Sequence, residues 1–116
     1  QLTDLDRLTR NQINQAQALQ ALGLYSQAQK QLTAATQTLH NQPDSALKAI
    51  GLRSLGNVLR ATGNLAESRQ VLQQSLAVAT AIANTQEIGE ALLSLGNTAG
   101  AQQDTAAAIA FYQQAA

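Results

Sequence analysis

Few residues of this chain could do covalent chemistry. His40 is the only histidine, there is no cysteine, and the seven carboxylates are scattered. An ordinary zinc site needs three or four converging ligands, which cannot be gathered around one histidine. His40 stands near an expected helix end, where its role is to meet terminal carbonyls rather than to catalyse. Glu87 and Glu90 share a helix face, but Glu87 follows Asn84 by three residues in a capping arrangement, which accounts for it without acid–base work. Each glycine is read as a helix-packing position or a helix end, so no phosphate cradle is present. These readings exclude an enzyme and imply no metal or cofactor. What remains is suited to non-covalent recognition. Arg53, Asn57 and Arg60 lie four and three apart on one helical face, and Gln17, Asn57 and Asn97 form an amide series. Guanidinium groups pair with carboxylates, and amides donate and accept at once, as a peptide backbone requires.

The elements that must position these side chains follow from an internal repeat. Ser54-Leu55-Gly56-Asn57 recurs as Ser94-Leu95-Gly96-Asn97, 40 residues later. Gly23, Gly63 and Gln103 fall in the same register, as do Ala28, Ser68 and Ala108, and Leu32, Leu72 and Tyr112. A fixed period of this size marks a stacked-repeat protein. Hydrophobic residues make up 45% but aromatics only 3%, and there is one proline. The apolar content is therefore mainly Ala and Leu, strong helix formers, and the fold class is all-α. Seven basic and seven acidic residues cancel, and 12% charged is about half the usual ~25%. No basic stripe exists to neutralise phosphates, which argues against nucleic acid and anionic membrane surfaces as partners. No apolar run approaches the ~18 residues of a membrane span, and no signal peptide is seen.

Apolar spacing predicts six helices. The first runs from Leu2 to Leu22 with Leu5, Leu8, Ile13, Ala16, Leu19 and Leu22 as its stripe and Asp4 and Asp6 near its positive end. The second carries Tyr25, Ala28, Leu32, Ala35 and Leu39 and ends before Pro43. Pro43-Asp44-Ser45 signals the start of the third, with proline suited to a first turn, and Leu47, Leu52, Leu55, Gly56 and Leu59 follow. Asn64 and Glu67 predict a capped start for the fourth, whose stripe is Leu65, Ser68, Leu72, Ser75, Leu76 and Ala79. Asn84 caps the fifth, with Ile88, Leu92, Leu95, Gly96 and Ala99, and Asp104 caps the sixth, with Ala108, Ile109 and Tyr112. Breaks are expected within two residues of Gly23, Gln42, Gly63, Asn84 and Gln103. Short connections make these helices antiparallel neighbours.

Each hairpin resembles the tetratricopeptide repeat, which places a large apolar residue and Leu-Gly on its first helix and Ala, a large apolar residue and Ala on its second. The middle repeat reads Leu52, Leu55-Gly56, Leu59, Gly63, Ser68, Leu72, Ser75, and the third reads Leu92, Leu95-Gly96, Ala99, Gln103, Ala108, Tyr112, Ala115. The first is weakest, with Gln12, Gln15-Ala16, Leu19, Gly23, Ala28, Leu32 and Ala35. The family's bulky aromatics are mostly leucine here, and the period is 40 residues instead of the usual ~34. The resemblance implies a right-handed α–α superhelix of three hairpins, near 2–42, 43–83 and 84–116, in a single repeat domain. Gly56 and Gly96 are expected at close helix contacts, where the lack of a Cβ outweighs a helix-propensity cost of ~1 kcal/mol. Because Gln1 is not a methionine and Ala116 interrupts a helical pattern, the chain is expected to be a piece of a longer array. Its apolar last repeat would then offer a surface for end-to-end self-association. The phrases 13–23 and 51–57 also resemble the repeat arrays of bacterial CHAT-domain proteins, in which repeats precede a caspase-like peptidase domain.

Family geometry implies a concave groove lined by the first helix of each hairpin. Its residues are Arg10, Ile13, Gln17 and Gln20, then Ile50, Arg53, Asn57 and Arg60, then Glu90, Leu93, Asn97 and Ala101. Arg53 and Asn57 resemble part of the carboxylate clamp of chaperone-binding repeats, although Ser94 stands where that clamp has asparagine. Two functions follow as expectations. One is a protein-interaction scaffold that holds a protein or peptide segment in the groove, serving as the recognition region of a CHAT-type protein. The other is a structural spacer with no dedicated ligand.

Overall fold

The computed structural model describes residues 4–116, and six α-helices account for nearly all of them: α1 (Asp4–Ala21), α2 (Tyr25–His40), α3 (Ala46–Ala61), α4 (Leu65–Ala81), α5 (Thr85–Ala101) and α6 (Thr105–Ala115). No strand occurs among the described residues, and every break falls where the spacing places it. Leu2, with which the expected first helix begins, lies outside the described residues. Consecutive helices pack against one another, and α1 also meets α3 and α3 meets α5. The first helices of the three hairpins therefore form one layer and the second helices another, as in a helical-repeat solenoid.

Four of the five turns share one mechanism, the α2–α3 connection being the exception. Gly23, Gly63, Ala83 and Gln103 all take positive φ, between 53° and 87°. At each, the next residue's N–H reaches back to the helix just ended: Leu24 to Leu19 O, Asn64 to Leu59 O, Asn84 to Ala79 O and Asp104 to Ala99 O, all 2.8–3.0 Å. This closure satisfies terminal carbonyls and asks for a left-handed residue, which glycine supplies at least cost. Gln103 and Ala83 adopt it against their Cβ.

The helix starts agree with the spacing in part. Ser45, Asn84 and Asp104 accept hydrogen bonds from the N–H groups of Lys48, Glu87 and Ala107. Two details differ. Pro43 precedes the cap Ser45 instead of occupying the first turn, and Asn64 makes no side-chain cap, its amide donating to Thr62 Oγ1 at 3.1 Å.

The core follows the stripes on α2 to α5. Ala28, Leu32, Ala35, Leu39, Leu55, Leu59, Leu72, Ala79, Leu92, Leu95 and Ala99 are all buried. On α1 the expected stripe holds in part: Ile13 and Ala16 are buried and Leu19 packs against the core, but Leu5, Leu8 and Leu22 are exposed and Thr9 is buried in addition. Ile109 and Tyr112 on α6 are also exposed, since no helix lies over them.

Glycine has two meanings in these helices. A Cβ on Gly56 would stand 2.5 Å from Leu72 Cδ2 and Cγ, and one on Gly96 would stand 2.5 Å from the Tyr112 ring. The close approach is thus real at both copies of Leu-Gly. Beside it, the buried Ser68 hydroxyl donates to Gly56 O at 2.7 Å, and Ser75 donates to Ala49 O at 2.8 Å. Gly89 corrects the reading of each glycine as a packing position or a helix end, because a Cβ there meets nothing within 4 Å; Gly100, equally open, lies at the end of α5.

These contacts separate the glycines by experiment. Leu72 is fully buried and has no room to yield, whereas Tyr112 is 41% exposed and can swing outward. Gly56→Ala is expected to cost about 2–3 kcal/mol in denaturant unfolding and Gly96→Ala about 1 kcal/mol. Gly89→Ala and Gly100→Ala are each expected to stabilise by about 0.5–1 kcal/mol. Gln103→Gly is expected to relieve about 1 kcal/mol of left-handed strain. A destabilised Gly100→Ala, or a Gly56→Ala midpoint equal to that of the parent, would contradict the contact geometry.

Candidate functional site

The groove candidates lie on the layer made by α1, α3 and α5, and the structure divides them sharply. Ile13 is 1% exposed and packs in the core, so it is corrected from groove residue to core residue. Ile50 is half-buried against the same core cluster. Arg10, Gln17, Glu90, Leu93, Asn97 and Ala101 are exposed, and Gln20 is half-buried. Several of these side chains have partners on the adjacent hairpin. Gln17 Nε2 donates to Ser54 Oγ at 3.1 Å.

Arg53 is the most fully engaged of them. Its Nη2 lies 3.2 Å from Glu87 Oε1, its Nε donates to the same oxygen at 3.3 Å, and its Nη1 is 3.9 Å from Glu90 Oε2. The Arg53 and Glu87 side chains are 18% and 8% exposed, so the pair is largely withdrawn from water. Glu87 is therefore more than a capping residue. Its N–H completes the Asn84 cap while its carboxylate ties α5 to α3. Nothing in the local spacing of Glu87 signals this, because its partner is 34 residues away.

Arg60 is different. Its Nη1 donates to Ser94 O at 3.3 Å, and no carboxylate pairs with it among the described residues. Partial burial pushes its pKa below the ordinary arginine value, with Tyr112 acting weakly in the opposite direction. Along the same face, Asn57 keeps Oδ1 buried without a hydrogen-bond partner. Asn97 Oδ1 accepts from the Tyr112 hydroxyl at 2.5 Å. A guanidinium with donors to spare thus sits near an amide acceptor that lacks a donor. A carboxylate would complete the guanidinium, whereas Asn57 Oδ1 is enclosed and beyond the reach of a surface ligand.

Other ties were not legible from the repeat. Arg69 on α4 donates to Gln102 Oε1 and Asp104 Oδ2, both at 3.0 Å, and stacks over Phe111 at 5.6 Å. The Arg69 and Ala107 hydrogen bonds hold the Asp104 carboxyl below its usual pKa. Ser68 Oγ meets Thr98 Oγ1 at 3.1 Å between hairpins. Between α2, α3 and α4, a cleft of about 330 Å³ is lined in part by Thr36, His40, Lys48 and Val78. Lys48 Nζ spans it, donating to the carbonyls of His40 and Gln42 and pairing with Asp44 at 3.3 Å. The backbone carbonyl of His40 is thus held by Lys48. No cluster of three metal-ligating residues occurs among the described residues, and no described helix is long and apolar enough to cross a membrane.

Paired helices in two layers, bonded hairpin to hairpin along one face, define a helical-repeat protein. The family model described as tetratricopeptide repeat matches residues 6–81 and again 47–116, and the chain belongs to that family. No curated protein matches the chain.

Two outcomes test the ties. In a double-mutant cycle, Arg53→Ala and Glu87→Ala are expected to couple by about 1–3 kcal/mol, far above an exposed pair. Asp104 stabilises the fold at pH values above its unfolded pKa, and that contribution is lost as pH falls through its depressed folded pKa. Acid titration of stability should therefore flatten partly in Asp104→Asn, while Asp44→Asn leaves the Asp104 contribution in place.

Proposed function

We propose that this chain is a protein-interaction scaffold whose α1–α3–α5 face holds an extended segment bearing a carboxylate. The single observation that carries the reading is Arg60, half-buried and without a carboxylate partner among the described residues, on the face that also holds the unpaired Asn57 Oδ1. Tetratricopeptide repeats generally mediate protein–protein interaction, and this arrangement says what kind of segment suits this one. Arg60 meets the carboxylate, the Asn57 amide nitrogen donates to a backbone carbonyl, and Asn97 extends the series. Arg53 is left to the stack, since Glu87 and Glu90 already neutralise it.

The likeness of 13–23 and 51–57 to CHAT-associated arrays supports placing this scaffold in a bacterial protein that carries a caspase-like peptidase. The coding sequence on both sides of this segment tests that setting. A second reading, the spacer, is favoured by one fact: Gln17, Arg53 and Arg60 all bond across to the next hairpin. In that reading the polar face exists to join repeats.

A defined peptide array at low and high salt separates the two. Retained peptides are expected to carry Asp, Glu or a free C-terminus, and Arg60→Gln should weaken them about tenfold or more, ~1.4 kcal/mol. Salt should weaken them in the parent and less so in the variant. Asn57→Ala should weaken them as well. If both variants keep a native circular dichroism spectrum and the same peptides at the same strength, the spacer reading replaces this one.

A further inference from the structure

The repeat register places residues 13, 53 and 93 at equivalent points on α1, α3 and α5. At the first joint this point is Ile13, whose Cδ1 would lie 3.1 Å from a Cβ on Gly51 and whose cluster includes Leu47 and Ile50. At the second joint it is Arg53, paired with Glu87 and Glu90. Glu87, Glu90 and Ala91 are themselves the register equivalents of Leu47, Ile50 and Gly51. One position on each hairpin therefore faces two fixed positions on the hairpin that follows. Isoleucine meets apolar residues and a glycine, and arginine meets two carboxylates.

At the third hairpin the same position is Leu93, 45% exposed. Ile109 and Tyr112 lie exposed on the same hairpin, although Leu32 and Leu72, the equivalents of Tyr112, are fully buried. We propose that this outer face is a docking surface for a helical hairpin of the same repeat type, with apolar residues at the Leu47 and Ile50 positions and a small residue at the Gly51 position. Leu93 is the selecting residue. A hairpin of the third kind would press carboxylates onto Leu93 with no cation to meet them, a costly burial. A second copy stacked head to tail is also mismatched, because its first hairpin presents Arg7 and Arg10 at the two facing positions. This inference goes beyond the peptide reading and does not depend on it.

Two extended chains test it, both keeping the 40-residue register. In one, residues 37–83 follow Ala116, offering Leu47, Ile50 and Gly51 to Leu93. In the other, residues 77–116 follow Ala116, offering Glu87, Glu90 and Ala91. Each is melted with and without Leu93→Arg, beside the parent chain with the same change. Leu93→Arg is expected to lower the midpoint of the first chain by about 3 °C or more and to raise that of the second by a similar amount. The parent, with nothing over Leu93, should shift less than either. A shift of the same sign in both extended chains would overturn the selection. Sedimentation of the parent provides a further check, with a monomer expected. A dimer that Leu93→Arg dissociates would give the face to a second copy and overturn the proposal.

Discussion

The approach of Leu72 onto the bare Cα of Gly56 sets the geometry on which the rest depends. A hairpin is closed by two helices, and their separation is decided where the smallest residue faces the largest. At Gly56 there is no side chain to hold α4 away, and the Ser68 hydroxyl bonds the Gly56 carbonyl at the same level. Polar and apolar contacts therefore enforce the same spacing. Across the next joint, α3 holds Arg53 at bonding distance from Glu87 on α5. The equivalent contact in the last hairpin places a tyrosine over Gly96, and its hydroxyl reaches Asn97.

The repeat made the helices legible because the features that end and join them are local. Gly23 and Gly63 terminate helices by taking a conformation that other residues resist, and Asn84 and Asp104 cap from three residues away. Where a local rule had a competitor, it failed. Asn64 looked like a cap, but its amide found Thr62. Leu5 and Leu8 matched the helical period of α1 as Ile13 and Ala16 did, yet only the latter two are buried, together with Thr9. Periodicity identifies a face but not which neighbour, if any, lies against it.

The helices that carry the candidate residues were legible in the sequence, but the bonds those residues already make were not. A repeat template maps residues onto a face, and Arg10, Gln17, Asn57, Arg60 and Asn97 do lie on the first-helix layer. It cannot tell which of them are already bonded. Arg53 and Arg60 look alike in sequence, about two helical turns apart on one helix. One is neutralised by two glutamates of the next hairpin and the other meets only a carbonyl. That difference arises from pairs more than 30 residues apart, such as 53 with 87, which no window of local pattern contains.

The two joints of the stack are built from different chemistry, and this gives the chain two different responses to temperature and solvent. Between the first and second hairpins, Ile13, Leu47 and Ile50 bury apolar surface around Gly51. Contacts of that kind carry a large heat-capacity change and weaken in the cold. Between the second and third, Arg53–Glu87 and Arg69–Asp104 add ion pairs. Their desolvation cost falls on heating, while the more exposed Arg69–Asp104 pair is screened by salt. Cooling thus weakens apolar contacts at both joints, since Ile88 packs on the Ala49–Val78–Ala79 cluster at the second, whereas salt acts on ion pairs that only the second joint has.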